Sequence, residues 1–211
     1  MKKIMFNDKY GLTKAVLDCR KTLTRRVVKL SLHKKMDNDL IEVFPTKVFL
    51  EDSKWKFIYD DYVFLLPKES YPRFKVGEVV SVAQSYRDCG GVNEDGMPIW
   101  EIISQKVGGI NAGWNNKMFV RADLMPHQIR ITDVRVEQLQ EISDEDCLKE
   151  GLEWDGIASQ YYVGFQKENG RKTFLGKTAH EAFAHLINKV SRKDVWSENP
   201  YVFVYDFELV K

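Results

Sequence analysis

At 211 residues and 24.6 kDa, the chain has room for one α+β domain with a sizeable core, and two full-sized domains do not fit. Its 32 Lys+Arg against 31 Asp+Glu leave a net charge of +1. That balance excludes a protein that coats its surface with cations to grip duplex DNA nonspecifically, while leaving room for a local basic site. A hydrophobic fraction of 44% with 30% charged residues excludes a disordered, collagen-like or coiled-coil chain.

The amino-terminal run Met1-Lys2-Lys3-Ile4-Met5-Phe6 has lysines but no apolar stretch of signal-peptide length, and no later run reaches membrane-spanning length. The expectation is a cytoplasmic protein with no membrane partner. Cys19, Cys89 and Cys147 are far apart and form no Cys-x-x-Cys pair, so free thiols are expected rather than a disulfide framework or a cysteine zinc site.

In chain order, Leu12, Ala15, Val16 and Cys19 recur at helical spacing and run into the basic cluster Arg20, Lys21, Arg25 and Arg26, which predicts a short helix leading into a strand. Residues 40–66 are rich in β-branched and aromatic side chains with turn residues between, predicting two or three strands. Residues 74–82 read as a turn into an alternating strand, and 89–97 as a Gly/Asn/Asp-rich loop. Residues 128–139 alternate first through Ile129 and Ile131, then one register on through Val134 and Val136, which predicts a long central strand carrying a bulge. Ser143-Asp144-Glu145-Asp146 and Thr178-Ala179-His180-Glu181 have the form of capping boxes. After the second, Ala182, Phe183, Leu186, Ile187 and Val190 make one apolar stripe, so that helix should pack on the sheet. Asn199-Pro200 sets up a closing aromatic strand over 201–209. The stretches at about 29–71 and 151–174 read as insertions on a smaller core of a single domain.

Several apparent sites carry no chemistry. His180 and His185 are five apart, roughly 140° around a helix, and cannot share a metal from one face. With His33 and His127 isolated, no metal is expected. Gly90-Gly91 and Gly108-Gly109 match no phosphate loop or dinucleotide fingerprint, so no nucleotide cofactor is indicated.

The segment Leu17-Asp18-Cys19-Arg20-Lys21-Thr22-Leu23-Thr24-Arg25-Arg26 resembles the signature of the ASCH family, Gly-x-Lys-x-x-Thr/Glu-x-Arg, with Lys21, Thr24 and Arg26 matching and Cys19 standing where the family usually has glycine. Residues 76–82, 130–143 and 146–151 are similar as well, and the carboxyl end from Trp196 to Phe207 resembles the closing strand of phage and prophage members. The resemblance covers about half the chain and implies a PUA-like mixed β-barrel with flanking helices, in which the strands around the Ser143 helix close with 201–209. It also implies an association with RNA or modified nucleosides. Some bacterial members hydrolyse N4-acetylcytidine with a Lys, a Thr and a Glu, which the resemblance carries onto Lys21, Thr24 and Glu150.

Physical chemistry bears on that trio. A lysine in a partly apolar pocket beside Arg20, Arg25 and Arg26 is pushed toward its neutral form by desolvation and like charge. A carboxylate at Glu150, where a short helix ends at Gly151, is disfavoured by the helix dipole. Alternatively, residues 20–26 form a solvated basic turn and Glu150 is an ordinary helix residue. A binding module would use Arg20, Arg25 and Arg26 with Trp114, Tyr86 and Trp100 as stacking platforms, unless those aromatics are core. Binding of RNA or a modified nucleoside stands ahead of amide hydrolysis, and a structural or interaction role is third.

Overall fold

The computed structural model describes residues 1–30, 45–164 and 172–210 in full, together with the backbone of two strands at 32–36 and 39–43. In chain order the elements are β1 (Lys3–Ile4), α1 (Leu12–Leu17), β2 (Leu23–Val27), β3 (Leu32–Met36), β4 (Asp39–Val43), β5 (Lys47–Glu51), β6 (Lys54–Tyr59), β7 (Tyr62–Leu65), β8 (Val79–Val82), α2 (Ile99–Val107), β9 (Gln128–Gln138), α3 (Asp144–Lys149), β10 (Leu152–Asp155), β11 (Gln160–Val163), β12 (Thr173–Gly176), α4 (Ala179–Ser191), α5 (Val195–Glu198) and β13 (Tyr201–Leu209).

The organising element is a five-stranded mixed sheet in the order β1-β8-β9-β13-β2. Its centre is the antiparallel pair β9 and β13, which runs from Tyr201↔Gln138 to Leu209↔Ile129. The register steps between Asp206 and Phe207 so that Thr132 is the extra residue of β9. This is the bulge that the switch from Ile129/Ile131 to Val134/Val136 announces, because a single inserted residue flips the inward face. β1 adds the one parallel pairing of this sheet, Lys3↔Ser81 and Ile4↔Val82.

The sheet does not close. β1 and β2 remain its two edges, and among the described residues no pairing joins them. The expected barrel is therefore not found. β10, the strand after α3, enters a separate three-stranded sheet β10-β11-β12 instead of returning to the main one. A two-residue β1 also offers too short an edge to continue the pairing. The fold is a mixed α+β arrangement with smaller sheets beside the main one: β5-β6-β7, the pair β3-β4, and β10-β11-β12. These small sheets occupy the stretches that read as insertions.

The main core collects Ile129, Ile131, Val204 and Tyr205 from the central strands with Phe183 and Leu186 from α4. The β5-β6-β7 sheet joins it through Trp55, whose ring meets Phe203 edge-on at 4.9 Å. α4 begins where the Thr178 hydroxyl accepts the Glu181 N–H at 3.1 Å. Its histidines tie it to neighbours: His180 Nε2 to the Ile142 carbonyl at 2.6 Å, and His185 Nδ1 to the Leu175 carbonyl. No metal-holding group occurs among the described residues, and His33 lies outside those whose side chains are described. A second, smaller core gathers Tyr86, Cys89, Ile103, Val120 and Met125 around α2. Among the described residues no helix is long and apolar enough to cross a membrane.

Candidate functional site

α1 ends in a Schellman arrangement. The Arg20 N–H returns to the Ala15 carbonyl at 2.8 Å and the Cys19 N–H to Val16 at 3.0 Å, which puts Cys19 in the left-handed region at φ +57°. This turn reverses the chain so that Lys21 points inward at the start of β2. α3, capped by the Ser143 hydroxyl on the Asp146 N–H at 3.1 Å, delivers Glu150 from its carboxyl end. Gly151 follows at φ +100°, where an added β-carbon would lie 3.5 Å from the β-carbons of Ala15 and Lys21. The Thr22 N–H, bonded to the Lys149 carbonyl at 3.0 Å, closes the two turns on each other.

Lys21 and Glu150 thus meet across 129 residues of chain. The Lys21 ammonium donates to the Leu23 carbonyl at 2.7 Å, to the Glu150 carbonyl at 2.9 Å and to Glu150 Oε2. Its three protons all have acceptors, with only 2% of the residue exposed. Burial pushes the Lys21 pKa below its ordinary value, and Glu150 works against that shift.

Arg25, equally buried, spreads its guanidinium over three carboxylates. Nε and Nη2 reach Glu137 Oε1 at 3.0 and 2.5 Å, Nη2 reaches Asp146 Oδ2 at 3.0 Å, and Nη1 faces Glu150 Oε1 at 3.4 Å. Arg135 extends the network from β9 to Asp146 at 2.6 Å and to Asp206. β2, β9, α3 and β13 are held together by this one set of charges, which satisfies the rule that buried ions must be paired.

Beside the network lies a cavity of about 500 Å³, a size suited to a small ligand. Lys21, Thr24, Arg25, Arg26 and Glu150 all line it, so the edge strand β2 contributes side chains from both of its faces. Its opposite wall is apolar, built by Phe183, Leu186, Ile187 and Val190 of α4. Phe6 lies 5.8 Å from the Lys21 ammonium and Phe183 lies 5.7 Å from the Arg25 guanidinium, ring centroid to cation. No described residue hydrogen-bonds the Thr24 hydroxyl, although Thr24 is 5% exposed. Arg26, exposed at the mouth, gives Nη2 to the Met5 carbonyl at 2.8 Å.

The cavity therefore gathers Lys21, Thr24, Glu150, Arg25 and Arg26, and leaves out the remaining expected site residues. Arg20 turns away to Glu153 at 2.6 Å and Asp18 at 3.1 Å. Trp114 packs against the smaller core and meets the exposed Trp100 edge-on at 6.1 Å, and Tyr86 is a fully buried member of that core whose hydroxyl accepts the Arg121 N–H at 2.9 Å. None of the three aromatics borders the cavity. Their rings lie beside α2 instead, so they are not platforms of this cavity. Cys19 is exposed and lies outside the lining, so its thiol does not narrow the site. Phe6, Lys117 and Arg192 line the cavity without any sequence signal: Phe6 sits in the chain between β1 and α1, and Arg192 is the left-handed cap of α4 at φ +61°.

No family model matches this chain, no curated protein is significantly similar to it, and no solved structure matches its fold.

Proposed function

We propose that this protein binds a modified nucleoside, or an unpaired nucleotide of RNA, in the cavity between β2 and α4. The observation that carries this reading is the composition of its walls. One side is aromatic and aliphatic, suited to the face of a base, and the other offers the Thr24 hydroxyl and the Arg26 cation for polar groups, beside the positive charge of Arg25. The ASCH-like signature over 17–26 agrees with that wall, since Lys21, Thr24 and Arg26 are the residues that carry the resemblance, and a PUA-like ancestry with an opened sheet is part of the same proposal.

A second reading is hydrolysis of an acylated nucleoside such as N4-acetylcytidine. It is favoured by the convergence of Lys21, Glu150 and Thr24 on one cavity. It stands second because Lys21 has no free lone pair while its three protons are held, and both oxygens of Glu150 already face cations. Calorimetric titration with cytidine and N4-acetylcytidine, run beside an assay for released acetate, separates the two. Binding without acetate release, weakened about tenfold by Thr24→Val through one lost hydrogen bond, supports the first reading. Acetate release abolished by Thr24→Ala replaces it with the second, and no binding of either nucleoside by the folded protein overturns both.

A further inference from the structure

A second cavity of about 520 Å³ opens beside the first and shares two of its wall residues, Met5 and Arg26. Its charged lining is Arg26, Lys29 and Arg73 against the single carboxylate of Glu69. Arg26 and Arg73 are near enough to repel each other, and among the described residues neither has a carboxylate within ion-pair distance. The Arg73 guanidinium lies over the Phe74 ring, 5.4 Å from its centroid. Its backbone is fixed by the Tyr205 hydroxyl, which accepts the Arg73 N–H at 2.9 Å, and by Lys2, which donates to the Arg73 carbonyl at 2.7 Å. Tyr71 adds an exposed ring to the same wall.

Two guanidiniums held near each other with no ion-paired carboxylate among the described residues, the Arg73 backbone anchored and the exposed Tyr71 ring beside them, form an anion site with a stacking surface. Arg26 stands at the junction of the two cavities, where a phosphate joining one nucleoside to the next would pass. We infer that the second cavity receives the neighbouring nucleotide, so that the ligand is single-stranded RNA at least a dinucleotide long, with Arg26 on the linking phosphate and Arg73 and Tyr71 holding the second nucleotide. This rests on the nucleoside reading of the first cavity and deepens it.

The test compares cytidine, cytidine 5′-monophosphate and a pool of ribodinucleoside monophosphates on wild type, Arg73→Gln, Tyr71→Ala and Ile187→Trp, the last filling only the first cavity. Arg73 and Tyr71 are exposed, and the Arg73 backbone bonds survive the change, so both variants should melt with wild type. The dinucleotides are expected to bind about tenfold more tightly than cytidine, as one added stacked base allows. Arg73→Gln and Tyr71→Ala should each remove most of that gain while leaving cytidine affinity unchanged. Dinucleotide and cytidine affinities that are equal, or a gain untouched by both variants, overturn the inference while the nucleoside reading stands. A mononucleotide as tight as the dinucleotides reduces the second cavity to a phosphate site and overturns the oligonucleotide assignment. Dinucleotide binding that needs Arg73 but ignores Ile187→Trp overturns instead the reading of the first cavity.

Discussion

At the scale of single residues, Cys19 and Lys21 pull stability in measurable directions. Cys19 occupies the position of the α1 cap that glycine fills without strain, at φ +57°. Cys19→Gly should raise stability by about 0.5–1 kcal/mol, the relief of a left-handed side chain less the entropy that glycine loses on folding; urea unfolding checks it, and a loss of stability would show that the thiol makes contacts of its own. Burial pushes the Cys89 and Cys147 thiols up to about 12, and Cys19 alone is exposed. A thiol reagent at neutral pH should therefore modify one cysteine in the native protein and all 3 after denaturation.

Lys21 behaves oppositely to a surface lysine gaining a partner. Because its folded pKa lies below the ordinary value of 10.5, the cost of burying its charge is fully present below that folded value. As pH rises from there toward 10.5, the native state gives up the proton while the unfolded chain keeps it, and stability increases. Lys21→Met should abolish that rise. At neutral pH it should cost about 3 kcal/mol, since it takes the lysine contacts from the buried Glu150 and leaves Arg25, at 3.4 Å, as its ion-pair partner. Adding Glu150→Gln should recover part of the loss. Denaturant curves across alkaline pH decide, and a Lys21→Met protein with the wild-type slope would contradict the assignment.

Among the elements, the α1 and α3 turns matter most to the site because each delivers one member of the buried pair. Gly151 has room for a methyl group, at 3.5 Å from the Lys21 and Ala15 β-carbons, but its φ of +100° does not suit an L-residue. Gly151→Ala should cost about 1–3 kcal/mol of backbone strain and shift Glu150 with it, so ligand affinity should fall along with the melting midpoint; unchanged affinity would separate Glu150 from the site. These turns are legible locally: apolar spacing marks α1, Ser143 marks α3, and the register change at Thr132 marks the bulge of β9. α2 is hidden in the sequence because Pro98 provides no side-chain cap to mark where it starts. α5 has only 4 residues, less than two turns of periodicity.

For the whole molecule, the features that stay illegible in the sequence are those that depend on distant segments meeting. Whether a sheet closes depends on its edges, and nothing in the two residues of β1 says where β2 will lie. Likewise Lys21 and Thr24 stand in one local motif, whereas the pairing of Lys21 with Glu150 reaches 129 residues away and is indicated in the sequence only by family resemblance. Phe6, Phe183 and Arg192 become cavity walls through packing alone, and Trp114 and Tyr86 resemble platforms in the sequence because exposure of an aromatic ring cannot be told from its identity.

Ligand is proposed to enter between β2 and α4. Native-state hydrogen exchange, with and without a saturating short RNA, tests it most directly. Added protection is predicted in β2, in the 5–8 segment and along α4. No protection, or protection confined to α2 and the Trp100–Trp114 cluster, would contradict it.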